Sequence, residues 1–326
     1  MNNRILGNTN RSISEIGLGT WQLGTKWGEP FNEEEAMRIL KTAYDNGINL
    51  IDTADVYNGG KSEVAIGKFI KEHPEFFYVV TKCGRKLNPH TADMYTPEAV
   101  EGFVDQSLQR LGLEKLDMIL LHCPPSSVYQ KDEIFHRMDQ MKTSGKISSY
   151  GVSIEKVSEG LAAMDYDISA IEVIFNMFRL KPAEELFPVA SKNNVGILAR
   201  VPLASGLLTG KYTKDTIFGA KDHRTFNRNG ESFDKGETFS GVNYEIGLKA
   251  VEELKELFKT DDLIPYAIKW ILMFDAVSVV IPGASKQYQV ESNLRASQLP
   301  NLSESQMQGV KDIYDKYLRE SVHGCW

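Results

Sequence analysis

The sequence predicts a (β/α)₈ TIM barrel with an N-terminal β-hairpin at its base and extra helices. Three observations carry this. Eight short apolar runs follow the hairpin and alternate with helical periods, the pattern of a parallel sheet. Eight such units in a chain of 326 residues suit one closed barrel, a single domain over 1–326. The competing doubly wound sheet would carry a G-x-G-x-x-G turn, and Gly17-Leu18-Gly19 instead runs into Thr20-Trp21-Gln22-Leu23.

The elements follow in order. Ile5-Leu6-Gly7 and Ile13-Ser14-Glu15-Ile16, parted by Asn8-Thr9-Asn10, form the hairpin. Gly17-Leu18-Gly19-Thr20-Trp21 is the first barrel strand. Apolar Ala36, Ile39, Leu40, Ala43 and Tyr44 set a helical period that Gly47 closes. The second strand ends at Asp52, and a helix covers about 62–71. The third strand ends at Lys82. Thr96-Pro97 caps and opens a helix that runs to Leu111-Gly112. The fourth strand ends at His122, before a helix near 130–143. Strands at 148–153, 170–175 and 195–200 follow, with helices at 155–164 and from Pro182 to about Asn193. Residues 205–241 break the rhythm with many Gly, Asp, Lys and Asn, and such long insertions are usually functional loops or mobile segments. Helices at 243–258 and about 262–274 precede the last strand, 276–281. Two more helices cover 288–295 and 303–319.

Composition limits the function classes. The hydrophobic fraction of 42% supports a large core, and no apolar run reaches the roughly 18 residues of a membrane span. Met1-Asn2-Asn3-Arg4 lacks the apolar core of a signal peptide. Cys83, Cys123 and Cys325 make no metal-ligand spacing and no even set, so a reduced, cytoplasmic protein without a metal is expected. A net charge of −7 disfavours nucleic acid as the main partner. Composition does not specify the oligomeric state.

Barrels place chemistry at the C-terminal ends of their strands. Here three strand ends carry Asp52, Lys82 and His122, and Tyr57 lies five residues past Asp52 in a loop with Gly59 and Gly60. Each alone has an ordinary reading: a loop cap, a solvated lysine, a core histidine, a surface aromatic. Together they suit carbonyl reduction. A phenol beside an ammonium becomes a better proton donor. Asp52 would hold Lys82, and His122 would orient the carbonyl oxygen and stabilise its developing charge.

The chain resembles the aldo-keto reductase superfamily over nearly its whole length. Gly17-Leu18-Gly19-Thr20-Trp21, Ile51-Asp52-Thr53-Ala54-Asp55-Val56-Tyr57, Thr81-Lys82, Leu120-Leu121-His122, Gly151-Val152-Ser153 and Ile281-Pro282-Gly283-Ala284-Ser285 match family motifs in family order. The resemblance implies a barrel that binds NADP(H) extended and a catalytic tetrad of Asp52, Tyr57, Lys82 and His122. It implies an oxidoreductase acting on small carbonyl or alcohol substrates. It also places Thr20 and Trp21 near the nicotinamide ribose, counts Gly19 and Asp52 among the cofactor-binding residues, and sets Ser153 and Glu172 at the carboxamide. Glu172 stands where Gln is usual, and Arg200 where an aromatic often stacks on the ring. A structural Glu172–Arg200 ion pair is an equal reading. Ser205, Gly206, Leu208 and Lys211 lie in a stretch that resembles the pyrophosphate loop, and Pro202 and Leu203 ahead of it are also expected to bind cofactor. Gly283, Ser285, Lys286, Gln289 and Asn293 resemble the adenosine end, with free amides at the helix start facing an anion. Gln289 replaces a common Arg, so the preference for NADPH over NADH is expected to be modest.

Two other functions compete. Some family members, such as potassium-channel β subunits, keep a cofactor yet serve as regulatory or sensor subunits. A barrel isomerase or lyase would need no nicotinamide. Trp21, Trp27 and Tyr57 are expected at the pocket mouth, and 321–326 either folds over it or hangs free. The insertion is expected to be a mobile flap, because it offers few apolar anchors.

Overall fold

The computed structural model describes residues 1–25 and 29–326. The expected position of Trp27 lies outside the described residues. An antiparallel hairpin, β1 (Asn3–Ile5) and β2 (Ser12–Ser14), precedes eight parallel strands. These are β3 (Leu18–Gly19), β4 (Leu50–Asp52), β5 (Tyr78–Cys83), β6 (Leu116–His122), β7 (Ile147–Ile154), β8 (Ala170–Ile174), β9 (Gly196–Arg200) and β10 (Val277–Val280). They pair in sequence order. The ring closes where Gly17 N donates to Val280 O at 2.8 Å and Gly19 N to Pro282 O at 3.0 Å. A side chain at Gly19 would press within 3.0 Å of Ile281 O, so the seam needs glycine there.

Side-chain parity sorts the strands. Leu50, Tyr78, Val80, Met118, Leu120, Ala170, Leu198 and Val279 fill the barrel interior together with Leu6 and Ile13 of the hairpin. Their neighbours Ile51, Val79, Ile119, Ile171 and Ile197 face the helices. Successive residues of a strand alternate faces. The parity that buries Leu50, Val80, Leu120, Ala170 and Leu198 therefore turns Asp52, Lys82, His122, Glu172 and Arg200 inward at the C-terminal end. The hairpin plugs the other end, where the Arg4 guanidinium donates to Val277 O at 2.6 Å.

The helices follow the expected order: α1 (Glu33–Asp45), α2 (Lys61–Lys71), α3 (Pro97–Leu111), α4 (Asp132–Thr143), α5 (Val157–Ala163), α6 (Phe187–Lys192), α7 (His223–Phe226), α8 (Tyr244–Phe258), α9 (Ile264–Leu272), α10 (Gln287–Leu294), α11 (Glu304–Tyr317) and α12 (Arg319–Val322). Thr96 accepts from Ala99 N at 3.2 Å, and Gly112 ends α3 in the left-handed region at φ 66°. The stretch after Pro182 departs from a single helix: Pro182–Leu186 is a widened π turn, and α6 starts only at Phe187.

The insertion differs from expectation in its packing. It contains α7 and the short turns Lys235–Glu237 and Phe239–Gly241, and Phe239 and His223 are buried. Phe218 contacts Tyr212 and Phe239, and Phe233 contacts Phe226 and Trp21. Its aromatic residues are spaced too irregularly to read as a period, yet they anchor it. No helix among the described residues is long and apolar enough to cross a membrane.

Candidate active site

Asp52 ends β4, and the loop beyond it is pinned by hydroxyls. Thr20 Oγ1 donates to Asp52 O at 2.7 Å, and Ser62 Oγ lies 3.0 Å from both Thr20 Oγ1 and Thr53 Oγ1. Tyr57 opens a tight turn, Tyr57–Gly60, in which Asn58 and Gly59 are left-handed. That turn folds the phenol back over the strand ends. The structure thus brings all four tetrad residues together.

Lys82 is the centre of the group and is fully buried. Its Nζ donates to Asp52 Oδ1 at 2.5 Å, to Thr53 O at 3.0 Å and to Tyr57 Oη at 3.5 Å. Glu172 Oε2 lies 3.2 Å from the same ammonium. The Tyr57 and His122 rings meet edge to face at 6.0 Å. Burial disfavours the Lys82 ammonium, but Asp52 and Glu172 outweigh it, so its pKa is raised and the charge persists. Burial and Glu172 push the Asp52 carboxyl well above its ordinary value against the pull of Lys82. Burial, then Arg85, Lys82 and Arg200, hold His122 well below the usual histidine range, so the imidazole is neutral.

Tyr57 corrects a simple expectation. Lys82 does favour the phenolate, but burial of the hydroxyl is larger, and Asp52 and Glu172 add to it. The pKa therefore rises rather than falls. The chain alone holds the phenol protonated, which suits a donor.

The expected carboxamide and ring positions form a second cluster. Ser153, Glu172 and Arg200 are buried neighbours on β7, β8 and β9. Ser153 Oγ donates to Glu172 Oε1 at 3.4 Å, and Arg200 Nε lies 3.7 Å from that oxygen. The ion-pair reading therefore holds geometrically. Arg200 is more strongly tied to Glu237 Oε1 at 2.7 Å, Ile154 O at 3.1 Å and Glu155 Oε2 at 3.2 Å. Arg85 donates to Glu155 Oε1 at 3.0 Å. Burial and Glu237 raise Glu155 to about 7, while Arg200 and Arg85 overcome burial to lower Glu237. Cys123, Glu155 and Glu237 sit close enough to offer metal ligands, but Arg200 already engages both carboxylates.

The remaining positions are placed as follows. Thr20 is buried, and Trp21 lies at the mouth beside His223 at 5.3 Å and Phe233 at 6.5 Å. Pro202 and Leu203 lead from β9 into the turn Ala204–Thr209, in which Leu208 is buried and Ser205 and Gly206 are left-handed. Ser205 Oγ donates to Glu237 O at 2.9 Å and accepts from Phe239 N at 3.1 Å. Lys211 is exposed just beyond. Gly283 precedes the start of α10, where Ser285 and Asn293 are buried. The amides there are not free, contrary to expectation. Gln289 Oε1 accepts from Ser285 N at 2.7 Å and Lys286 N at 3.0 Å, because a Gln three residues past the cap turns back on its own helix. Lys286 Nζ lies 3.4 Å from Glu35. A pocket of about 380 Å³ opens here between Ser285, Lys286, Thr25, Glu29, Phe31 and Glu35. A cavity of about 430 Å³ lies at the opposite, hairpin end, lined by Thr9, Arg11, Tyr78, Asp117 and Ser149, away from these groups.

Sequence reasoning missed Glu155, Glu237, Arg85 and Arg224. Arg224 reaches Ser205 O at 3.4 Å and bonds the Tyr212 hydroxyl. Of these, Arg85 and Glu155, which lie just past the ends of β5 and β7, carried a local signal.

The model of the aldo/keto reductase family matches residues 15–315. The chain belongs to the aldo/keto reductase family. It is 31% identical over 92% of its length to an NADH-specific methylglyoxal reductase of Escherichia coli (strain K12), covering 94% of that protein. It is 30% identical over 90% of its length to a putative voltage-gated potassium channel subunit beta of Schizosaccharomyces pombe, covering 87% of that protein. The structure of a glycerol dehydrogenase from Gluconobacter oxydans superposes with a TM-score of 0.79 at 27% identity, over 100% of this chain and 98% of that one. As an aldo/keto reductase, the chain has an oxidoreductase fold of the nicotinamide-dependent kind.

Proposed function

We propose that this aldo/keto reductase reduces small aldehydes and ketones to alcohols, with Tyr57 as proton donor and NADPH as the favoured cofactor. The observation that carries the reading is Lys82, fully buried, with Asp52 at 2.5 Å and Tyr57 Oη at 3.5 Å. When bound, the nicotinamide supplies the hydride. The side chains handle everything else. Tyr57 Oη gives its proton to the carbonyl oxygen as that oxygen gains charge, and Lys82 stabilises the phenolate left behind. Neutral His122 hydrogen-bonds the same oxygen and orients it. Its Nδ1 has no hydrogen-bond partner among the described residues.

The residues present suit the cofactor. Glu172 Oε2 is paired with Lys82 Nζ at 3.2 Å, and its Oε1, which takes only a 3.4 Å bond from Ser153 Oγ, can accept from a carboxamide NH₂. Lys286 offers a cation at the adenosine end, but Glu35 pairs with it and Gln289 occupies the helix-start amides. Those contacts support only a modest preference for NADPH over NADH. The names of the methylglyoxal and glycerol relatives add small, oxygen-rich carbonyls to the substrates worth testing. The complete tetrad favours turnover over the regulatory-subunit role that the channel-β relative suggests.

The test is loss of reduced-cofactor absorbance with a panel of aldehydes including methylglyoxal and glyceraldehyde. Steady turnover is expected. Binding of the cofactor without turnover on any of them would move the reading to a sensor subunit. Fluorescence titration with NADPH and NADH checks the preference, and tighter binding of NADH would reverse it.

A further inference from the structure

Arg200 is held by a counter-ion that does not come from the barrel. Glu237, in the turn Lys235–Glu237 of the insertion, accepts from Arg200 Nη1 at 2.7 Å and is itself buried. The segment bearing it is fastened at several points. Ser205 Oγ binds Glu237 O and Phe239 N, and Trp326 Nε1 donates to Asp234 Oδ1 at 2.8 Å. The Trp326 ring also takes the Arg179 guanidinium at 4.1 Å and packs on Gly241, where a side chain would strike the indole at 2.2 Å. Residues 321–326 therefore fold onto the insertion rather than hang free.

Why is a carboxylate held there so firmly? Arg200 ends β9 beside Glu172 and Ser153, and its Nε has no hydrogen-bond partner among the described residues. Its guanidinium thus borders the place where the hydride donor is read to lie. The nicotinamide ring is neutral when reduced and carries a positive charge when oxidised. An uncompensated Arg200 would repel the oxidised ring and leave the reduced ring almost unaffected. Glu155 shares the guanidinium at 3.2 Å, but burial and Glu237 make it the more readily protonated of the two. Glu237 remains the lasting negative partner.

We propose that Glu237, delivered by the insertion, is the counter-ion that lets this site hold the oxidised cofactor, and so sets the bias of the bound couple between its two redox forms. Glu237 acts through Arg200 and is a positioning residue. The inference rests on the functional reading above. Docking of the insertion, secured by Trp326, brings the charge into place, so the product form of the cofactor is retained only while the insertion is seated.

The test is equilibrium binding of NADP⁺ and NADPH, with NAD⁺ and NADH in parallel, to the parent protein and three variants. Glu237→Gln keeps the shape and removes the charge. A unit charge acting across the site at intermediate dielectric predicts that the oxidised-to-reduced Kd ratio rises about 5- to 50-fold. Each tenfold equals about 30 mV in the potential of the bound two-electron couple. Glu237→Asp restores the charge and is expected to return the ratio to within about threefold of the parent. Arg200→Gln removes the cation and is expected to move the ratio the other way, which no general loosening of the fold would do. Equal weakening of both redox forms in Glu237→Gln, an unchanged ratio, or a shift in the same direction in Arg200→Gln overturns the proposal. If the parent binds none of the four dinucleotides, the functional reading itself fails, and this inference with it. A parent that binds and a ratio that does not respond defeats only the role of Glu237.

Discussion

Lys82 and Arg200 are both buried cations at the barrel mouth, but their counter-ions reach them by different routes. Asp52 and Glu172 come to Lys82 from β4 and β8, inside the same ring of strands. Arg200 depends on Glu155 from the loop after β7 and on Glu237, 37 residues further along the chain. The first cluster is built on strand ends that the barrel's hydrogen-bond ladder holds in register. The second is completed by a residue of the insertion. On the proposed function the difference would separate two tasks: a proton donor must be placed once and kept, whereas a cofactor must enter and leave.

The comparison breaks most visibly at Lys82. Tyr57→Phe removes one hydroxyl and keeps the ring, so packing and cofactor binding are expected to survive while single-turnover oxidation of bound NADPH by an aldehyde slows about 10²-fold or more. Lys82→Met should be comparably harmful. Turnover of Tyr57→Phe within a few-fold of the parent would show that another group supplies the proton. His122→Gln is expected to be milder, about tenfold on reactive aldehydes, because Gln can still donate to the carbonyl oxygen. A loss as large as that of Tyr57→Phe would instead give His122 the proton-transfer role.

The second cluster should answer to different changes. Trp326→Ala deletes the ring on Gly241 and Arg179, at a cost of about 1–2 kcal/mol for a half-buried indole. Limited proteolysis within 215–235 should quicken, and NADPH should slow it. The chemical step should stay within about threefold of the parent. Unchanged cleavage would mean that the insertion holds itself without Trp326. The last expected effect is on pH dependence. Burial and Glu237 raise the Glu155 pKa to about 7, above its ordinary 4.5. Between those values the folded state keeps a proton that the unfolded chain has released, so this contribution to stability is present at low pH and lost as pH rises through 7. Glu155→Gln should flatten that decline by about 3 kcal/mol between pH 4.5 and 8, read from denaturant midpoints without added cofactor. The same slope in the variant would assign the titration elsewhere.

Expectation and structure diverge where a residue's partner is decided late. Gln289 resembles a ligand of the adenosine end, yet its carbonyl caps its own helix start. The signal was present in the sequence, a Gln three residues past a helix cap, but the same position also suits an external anion. Tyr57 shows a second kind of divergence. Sequence identifies Lys82 as its neighbour, but the net shift depends on how deeply the hydroxyl is buried, and burial exceeds the ammonium's pull.

The sequence by itself determined the barrel, its hairpin plug and the meeting of Asp52, Lys82 and His122. These follow from period-two alternation, in which a buried residue at one strand position commits the residue two places on to the same interior. Tyr57 was legible for a similar reason, since a short turn leaves it little room to be elsewhere. Only the tertiary structure decided that Arg200 pairs with Glu237 and that Trp326 clasps Asp234, a contact spanning 92 residues. Contacts of that kind obey no period. They arise when irregular segments, each with several charged or aromatic choices, settle against surfaces that exist only after the barrel has closed.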